Sequence, residues 1–230
     1  PYGEECRELF GVPEGWFLMG CDLSGIELRL LASYLAPYDN GEYALQVVDG
    51  DVHTFNAKAF GVDRSTSKSV IYSMIYGGGD RLIGSVAGGS AAKGKKLKAD
   101  FDAGVPAFAT LKKNLKTAFK RGYIKALDGR KLPIRSEHRC LSQLLQSAGA
   151  IVAKQWVMTT YDQIKQKHGD DTYVVGWIHD EIQVACRTED IAHDVGRIAC
   201  RMAEEAGVTL GLNVSTAAEY KVGRNWLSTH

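Results

Sequence analysis

Residues 172–186 read Thr172-Tyr173-Val174-Val175-Gly176-Trp177-Ile178-His179-Asp180-Glu181-Ile182-Gln183-Val184-Ala185-Cys186. Both flanks are rich in β-branched and aromatic residues, and the polar triplet His179-Asp180-Glu181 interrupts them, so the stretch predicts a β-hairpin with acids at its tip. A second apolar run, residues 16–21, stops abruptly at Asp22. Beyond Ser24-Gly25, the spacing of Ile26, Leu30, Leu31, Tyr34 and Leu35 is helical. If the two strands pair, Asp22 and Asp180 meet from distant parts of the chain. A two-metal site needs little more, because hard Mg²⁺ takes oxygen ligands, keeps several waters and requires only one or two protein carboxylates per ion. Either acid taken singly also suits a turn or a cap.

Between these strands the pattern is mostly helical. Residues 51–76 read as helix until Gly77-Gly78-Gly79 breaks it, and Gly88-Gly89 breaks the chain again before a lysine-rich helix. Pro106 opens a further helix carrying Leu111, Leu115 and Phe119, which Gly122 stops. Asp128-Gly129 predicts a tight turn between residues 123–127 and 131–134. Helices over 141–167 and 189–206 and a last strand over 213–220 complete the chain. Strands at both ends with helices between imply an α+β fold, a sheet domain interrupted by a helical insertion.

Within the first helical stretch, Arg64, Lys68, Tyr72 and Tyr76 recur at every fourth position, followed by Gly77. On an α-helix they drift only about 40° per step, forming one stripe about 18 Å long. Cations at one end and aromatic rings at the other suit a nucleoside triphosphate, whose phosphates want charge and whose base wants a flat surface. An amphipathic helix with ordinary surface charges is the plainer alternative, and it leaves the two in-line tyrosines unexplained.

Composition narrows the class. The 230 residues are 45% hydrophobic and 24% charged, as in a globular protein able to bury a large core. The apolar run 26–36 is interrupted by Glu27 and Arg29, so no membrane span is expected, and no secretory signal is read at the start. Five scattered cysteines without a C-x-x-C pair argue against a disulfide framework or a thiolate zinc site, and fit a cytoplasmic location. The formal net charge of +1 conceals a basic middle, from Lys93 through Lys112, Lys116 and Arg121 to Arg130 and Lys131. Such a tract is a solvated face unless a second signal points to phosphate.

The second signal is a resemblance. Asp22-Leu23-Ser24-Gly25-Ile26-Glu27-Leu28-Arg29 resembles motif A of the family A (DNA polymerase I type) DNA polymerases, 64–77 resembles motif B, and His179-Asp180-Glu181 resembles motif C. Order and spacing match as well. Gly50-Asp51-Val52-His53-Thr54, Asp128-Gly129-Arg130-Lys131 and Leu145-Gln146-Ser147-Ala148-Gly149-Ala150 make the chain look most like the replicative polymerases of short-tailed bacteriophages.

The resemblance implies a palm over 1–52 and 132–230 around an antiparallel sheet, with helical fingers over 53–131. It implies two Mg²⁺ ions held by Asp22, Asp180 and the Leu23 carbonyl, with Glu181 in support. Arg64, Lys68 and His53 would take the triphosphate, and Lys68 would protonate the departing pyrophosphate. Tyr72 would flank the incoming sugar and base, and Tyr76, with Gly77 after it, would lie near the templating position. Glu27 would exclude ribonucleotides by crowding the 2′-hydroxyl while bonded to Tyr72. His179 and Gln146 would touch the primer terminus and the minor-groove edge, although Ser142 stands where phage relatives tend to carry asparagine. Arg130 and the lysines would bind template or duplex phosphates. His138, His168, His193 and His230 show no metal spacing and receive no role.

Substrates would be dNTPs and primer–template DNA. Family members carry a thumb, and commonly an exonuclease domain, upstream of motif A, whereas 21 residues precede Asp22 here. The expectation is a fragment or one subunit of a split polymerase, completed by an upstream polypeptide; Pro1 would be a cut point or a residue exposed by methionine removal. The competing class is a non-catalytic DNA-binding or assembly subunit that retains the fold. A metal-dependent phosphohydrolase is a weaker rival.

Overall fold

The computed structural model describes residues 2–230, and Pro1 lies outside them. Six strands are present in chain order: β1 Phe17–Leu23, β2 Tyr123–Lys125, β3 Lys131–Pro133, β4 Thr172–Ile178, β5 Glu181–Cys186 and β6 Ala218–Gly223. The helices are α1 Gly3–Glu8, α2 Ile26–Asp39, α3 Glu42–Val48, α4 Val52–Phe60, α5 Arg64–Ile75, α6 Asp80–Val86, α7 Ala91–Gly104, α8 Pro106–Arg121, α9 Cys140–His168, α10 Glu189–Thr209 and α11 Trp226–Thr229. The chain forms two compact units. One comprises the residues up to Ile26 together with Gly149–His230, and the other is Glu27–Ala148.

The first unit is built on a four-stranded antiparallel sheet of order β4-β5-β1-β6. β1 runs through its centre, pairing with β5 from Phe17↔Cys186 to Asp22↔Glu181 and with β6 from Leu18↔Gly223 to Leu23↔Ala218. A strand bonded on both sides should be apolar throughout, and Leu18, Met19, Cys21 and Leu23 are buried. α10 covers the sheet. Thr188 caps its N-terminus by accepting from Ile191 N–H, and Ala192, Val195, Ile198, Ala199, Met202 and Ala203 are buried. Gly196 is required there, because a Cβ on it would stand 2.2 Å from the Tyr220 ring. Trp156 of α9 is fully buried, and its indole N–H donates to the Ala199 carbonyl at 2.8 Å. The final strand lies five residues later than expected, at Ala218–Gly223, because 213–217 runs beside α10 through a Thr216 bond to Ala203 rather than in a ladder.

The second unit is largely helical. The helix expected over 51–76 is two helices. Gly61 ends α4 in the left-handed region at φ 66°, and Asp63 starts α5 by accepting from Thr66 N–H. Phe60 stacks on Phe101 at 4.5 Å, and Phe101 meets Phe108 edge-on at 5.0 Å, so α4, α7 and α8 share an aromatic core. The Asp128-Gly129 turn joins β2 and β3 as expected, with Gly129 at φ 85°. Among the described residues, no helix is long and apolar enough to cross a membrane.

Candidate active site

The sheet brings its acids to one end. Asp22 is the Cα partner of Glu181 across β1 and β5, and the Leu23 N–H donates to the Asp180 carbonyl at 3.0 Å. The two-residue turn His179-Asp180 holds His179 at φ 54°, a conformation that costs a non-glycine residue free energy and is kept where the surroundings impose it. The Trp177 indole N–H donates to the His179 carbonyl at 2.9 Å and helps impose it. Asp22 is exposed and Asp180 half-buried.

Glu181 behaves differently. It is only 5% exposed, and its Oε1 accepts from Trp226 Nε1 at 2.7 Å and Gln183 Nε2 at 2.5 Å. His230 Nδ1 lies 2.7 Å from Oε2, and the His230 carbonyl accepts from Lys221. His230, given no role from sequence, therefore belongs to the surroundings of this end of the sheet. Among the described residues, no group of three His, Cys, Asp or Glu side chains is arranged to hold a metal. The donor set still fits hard cations, since two accessible oxygen-only ligands leave room for waters and no soft ligand competes.

In the second unit α5 carries the stripe as expected. Arg64, Lys68 and Tyr76 are exposed and Tyr72 half-buried, while Ser67, Val70, Ile71, Met74 and Ile75 face the core. The Tyr72 and Tyr76 rings lie 6.5 Å apart and 24° from parallel, and His53 lies 6.3 Å from Tyr72. Asp51 organises the cationic end. It caps α4 through His53 N–H and Thr54 N–H and accepts from Arg64 Nε at 2.8 Å. The Arg64 bond, aided by Thr54, holds the Asp51 carboxyl well below the usual carboxylate range. Burial, with Arg64 and Lys68 nearby, lowers the His53 pKa, so the neutral ring is favoured; its Nδ1 is buried without a hydrogen-bond partner.

The Tyr76 hydroxyl donates to Glu27 Oε1 at 2.5 Å. Sequence reasoning had given this bond to Tyr72. Tyr76 stands just past the end of α5, which frees it from the helical direction that the spacing alone assigned to it. Gly77 follows at φ 82°, where a Cβ would press on the His138 carbonyl at 3.3 Å and on Ser142 Oγ at 3.5 Å. Ser142 and the exposed Gln146 are one turn apart on α9.

The basic tract is less bare than its sequence. Lys96 pairs with Asp100, Lys98 with Asp80, Lys112 with Asp102 and Lys116 with Glu137, at 2.6–3.3 Å. Arg130 is held by Asp128 inside its own turn. Exposed pairs of this kind contribute about 0–1 kcal/mol each, so exchanging such an acid for a phosphate costs little.

The model of DNA polymerase family A matches residues 1–228. This chain belongs to that family. It is 39% identical over its whole length to the DNA-directed DNA polymerases of Enterobacteria phage T3 and Escherichia phage T7, and 26% identical to the thermostable DNA polymerase I of Thermus aquaticus. It spans 37% of the T3 and T7 polymerases and 29% of the Thermus enzyme. In this family A chain, sequence reasoning missed Asp51, Gln183, Trp226 and His230. Asp51 was findable, since Asp is among the residues preferred at the N-cap just before a helical run. Trp226 and His230 had no signal beyond their i, i+4 spacing after the capping Asn225.

Proposed function

We propose that this chain is the catalytic portion of a template-directed DNA polymerase that adds dNTPs to a primer 3′-hydroxyl by two-metal nucleotidyl transfer. The observation that carries the reading is the β1–β5 register, which sets Asp22 and Asp180 at one end of the sheet. Asp22, Asp180 and the Leu23 carbonyl would hold two Mg²⁺ ions. Bound there, the ions would supply Lewis acidity to the attacking hydroxyl and would neutralise charge on the leaving pyrophosphate. Arg64, Lys68 and His53 take the triphosphate. Lys68 gives its proton to the departing pyrophosphate. Glu27, fixed by Tyr76, crowds the 2′-hydroxyl, and Tyr72 flanks the sugar and base. His179 and Gln146 contact the primer terminus and minor groove, while Gly77, Arg130 and the lysines keep the template strand close by sequence-independent contacts.

Residues 1–52 and 132–230 act as palm and 53–131 as fingers. The T3 and T7 relatives are far longer, so we assign the grip on duplex DNA to a thumb on further polypeptide, joined or separate. The test is primer extension by this chain in Mg²⁺, with and without a thumb-bearing polypeptide. Metal-dependent extension that the polypeptide strengthens is expected. DNA binding without extension under both conditions would favour the non-catalytic DNA-binding or assembly subunit.

A further inference from the structure

Asp51 ties the N-terminal ends of α4 and α5 together. Its Oδ1 accepts from the backbone N–H groups of His53 and Thr54, each at 3.1 Å, and its Oδ2 accepts from Thr54 Oγ1 and Arg64 Nε, each at 2.8 Å. Four donors fill the lone pairs of one carboxylate. A second link lies beside it, where the fully buried Ser67, one turn along α5 from Arg64, donates its hydroxyl to the His53 carbonyl at 3.1 Å. The first turns of the two helices are therefore pinned at two points.

Among the described residues Arg64 is engaged through Nε alone, and its side chain is 59% exposed. The two Nη groups form the opposite edge of the guanidinium and are left for another acceptor. A planar fork held by one edge presents the other in a fixed direction.

We propose that Asp51 is a positioning residue for the triphosphate: it holds Arg64 by the Nε edge so that the Nη edge meets the phosphates already oriented. The inference rests on the polymerase reading, in which Arg64 takes the triphosphate, and deepens it by naming what orients that side chain. An arginine fixed beforehand loses less freedom when the anion arrives. A bare carboxylate beside a triphosphate would repel it, but here the guanidinium and the positive end of α4 offset the charge. Asparagine cannot take the place, because its NH₂ would face either the two backbone N–H groups or the donors on Oδ2.

The experiment uses the full chain, with inorganic tripolyphosphate in Mg²⁺ as the binding probe and dNTP incorporation measured in parallel. Asp51→Ser retains a capping oxygen but is too short to reach Arg64, which separates capping from positioning. The melting temperature should stay within a few degrees, tripolyphosphate should bind roughly tenfold more weakly, and the loss in incorporation should fall on KM for dNTP rather than on kcat. In an Arg64→Ala background, Asp51→Ser should change the tripolyphosphate Kd by no more than about twofold, since no guanidinium remains to be oriented. Arg64→Lys, which keeps the charge without the fork, should weaken binding about as much as Asp51→Ser does. Tighter binding by Asp51→Ser would overturn the proposal, because the carboxylate would then be a competitor of the phosphates. Unchanged binding, or an equal loss with and without Arg64, would overturn it by leaving Asp51 a helix cap only. Coupling of Asp51 to Arg64 in tripolyphosphate binding by a chain that never extends primers would count against the polymerase reading and leave the positioning in place.

Discussion

The sheet end that presents Asp22 and Asp180 and the helix face that presents Arg64, Lys68, Tyr72 and Tyr76 are built by opposite means. The helix face is local. Its residues share a side because the α-helix repeats every 3.6 residues, and a buried face of Val70, Ile71, Met74 and Ile75 fixes its orientation. The sheet end is non-local, depending on β1 pairing with β5 in one register, and a slip of one residue would turn every side chain over. It is also backed by a buried carboxylate network around Glu181, whereas the side chains of the stripe are exposed or half-buried, with Arg64 paired to Asp51 and Tyr76 bonded to Glu27. On the proposed reading, the groups whose position matters to about an ångström would sit on the sheet end and those that grasp and release the nucleotide on the helix face.

Substitutions in the two regions would break or sharpen that contrast. Asp22→Ala should lower single-turnover incorporation by roughly 10²–10³-fold or more while the melting temperature stays within a few degrees, since the residue is exposed. A rate near wild type at saturating Mg²⁺ would remove the carboxylate assignment. Lys68→Ala should cost on the order of 10²-fold in kcat, with a modest rise in KM for dNTP, because its charge matters most as pyrophosphate leaves. An effect confined to KM would make it a binding group only.

Glu27→Ala should lower the ratio of kcat/KM for dNTP over rNTP by about tenfold, or roughly 1.4 kcal/mol. Tyr76→Phe should move that ratio the same way by less, since it removes only the hydroxyl that positions Glu27. If Tyr72→Phe shifts the ratio and Tyr76→Phe does not, the Tyr76 contact is not the functional one.

The smallest effect concerns His53. Its pKa lies below the ordinary histidine value, so the ring is neutral at pH 7, and a bound triphosphate would favour the cation. Binding then takes up a proton, and dNTP affinity should strengthen a few-fold as pH falls from 8 to 6. His53→Gln should flatten that slope, and an equal slope in both proteins would exclude His53 from the phosphates.

These differences also explain what the sequence made legible. Periodicity exposed the stripe, and the hairpin was plain from its β-branched flanks. The pairing of β1 with β5 was an inference, because nothing local encodes the partner of a strand. The break between α4 and α5 was written in Gly61 and Asp63, but helical propensity on both sides hid it. The bond from Tyr76 to Glu27 depends on where α5 ends, and helix ends are read poorly from pattern alone. His230 lies 49 residues from Glu181, and only the sheet's three-dimensional course joins them.

The measurement that tests the division of labour most directly is single-turnover incorporation by Asp180→Asn, with polymerase in excess over primer–template and the dNTP concentration varied. A maximal rate lowered by at least roughly 10²-fold, with the apparent dNTP Kd within about threefold of wild type, is the expected result. An unchanged maximal rate with a weakened Kd would contradict it, placing Asp180 among the nucleotide-holding groups rather than at the centre of the chemistry.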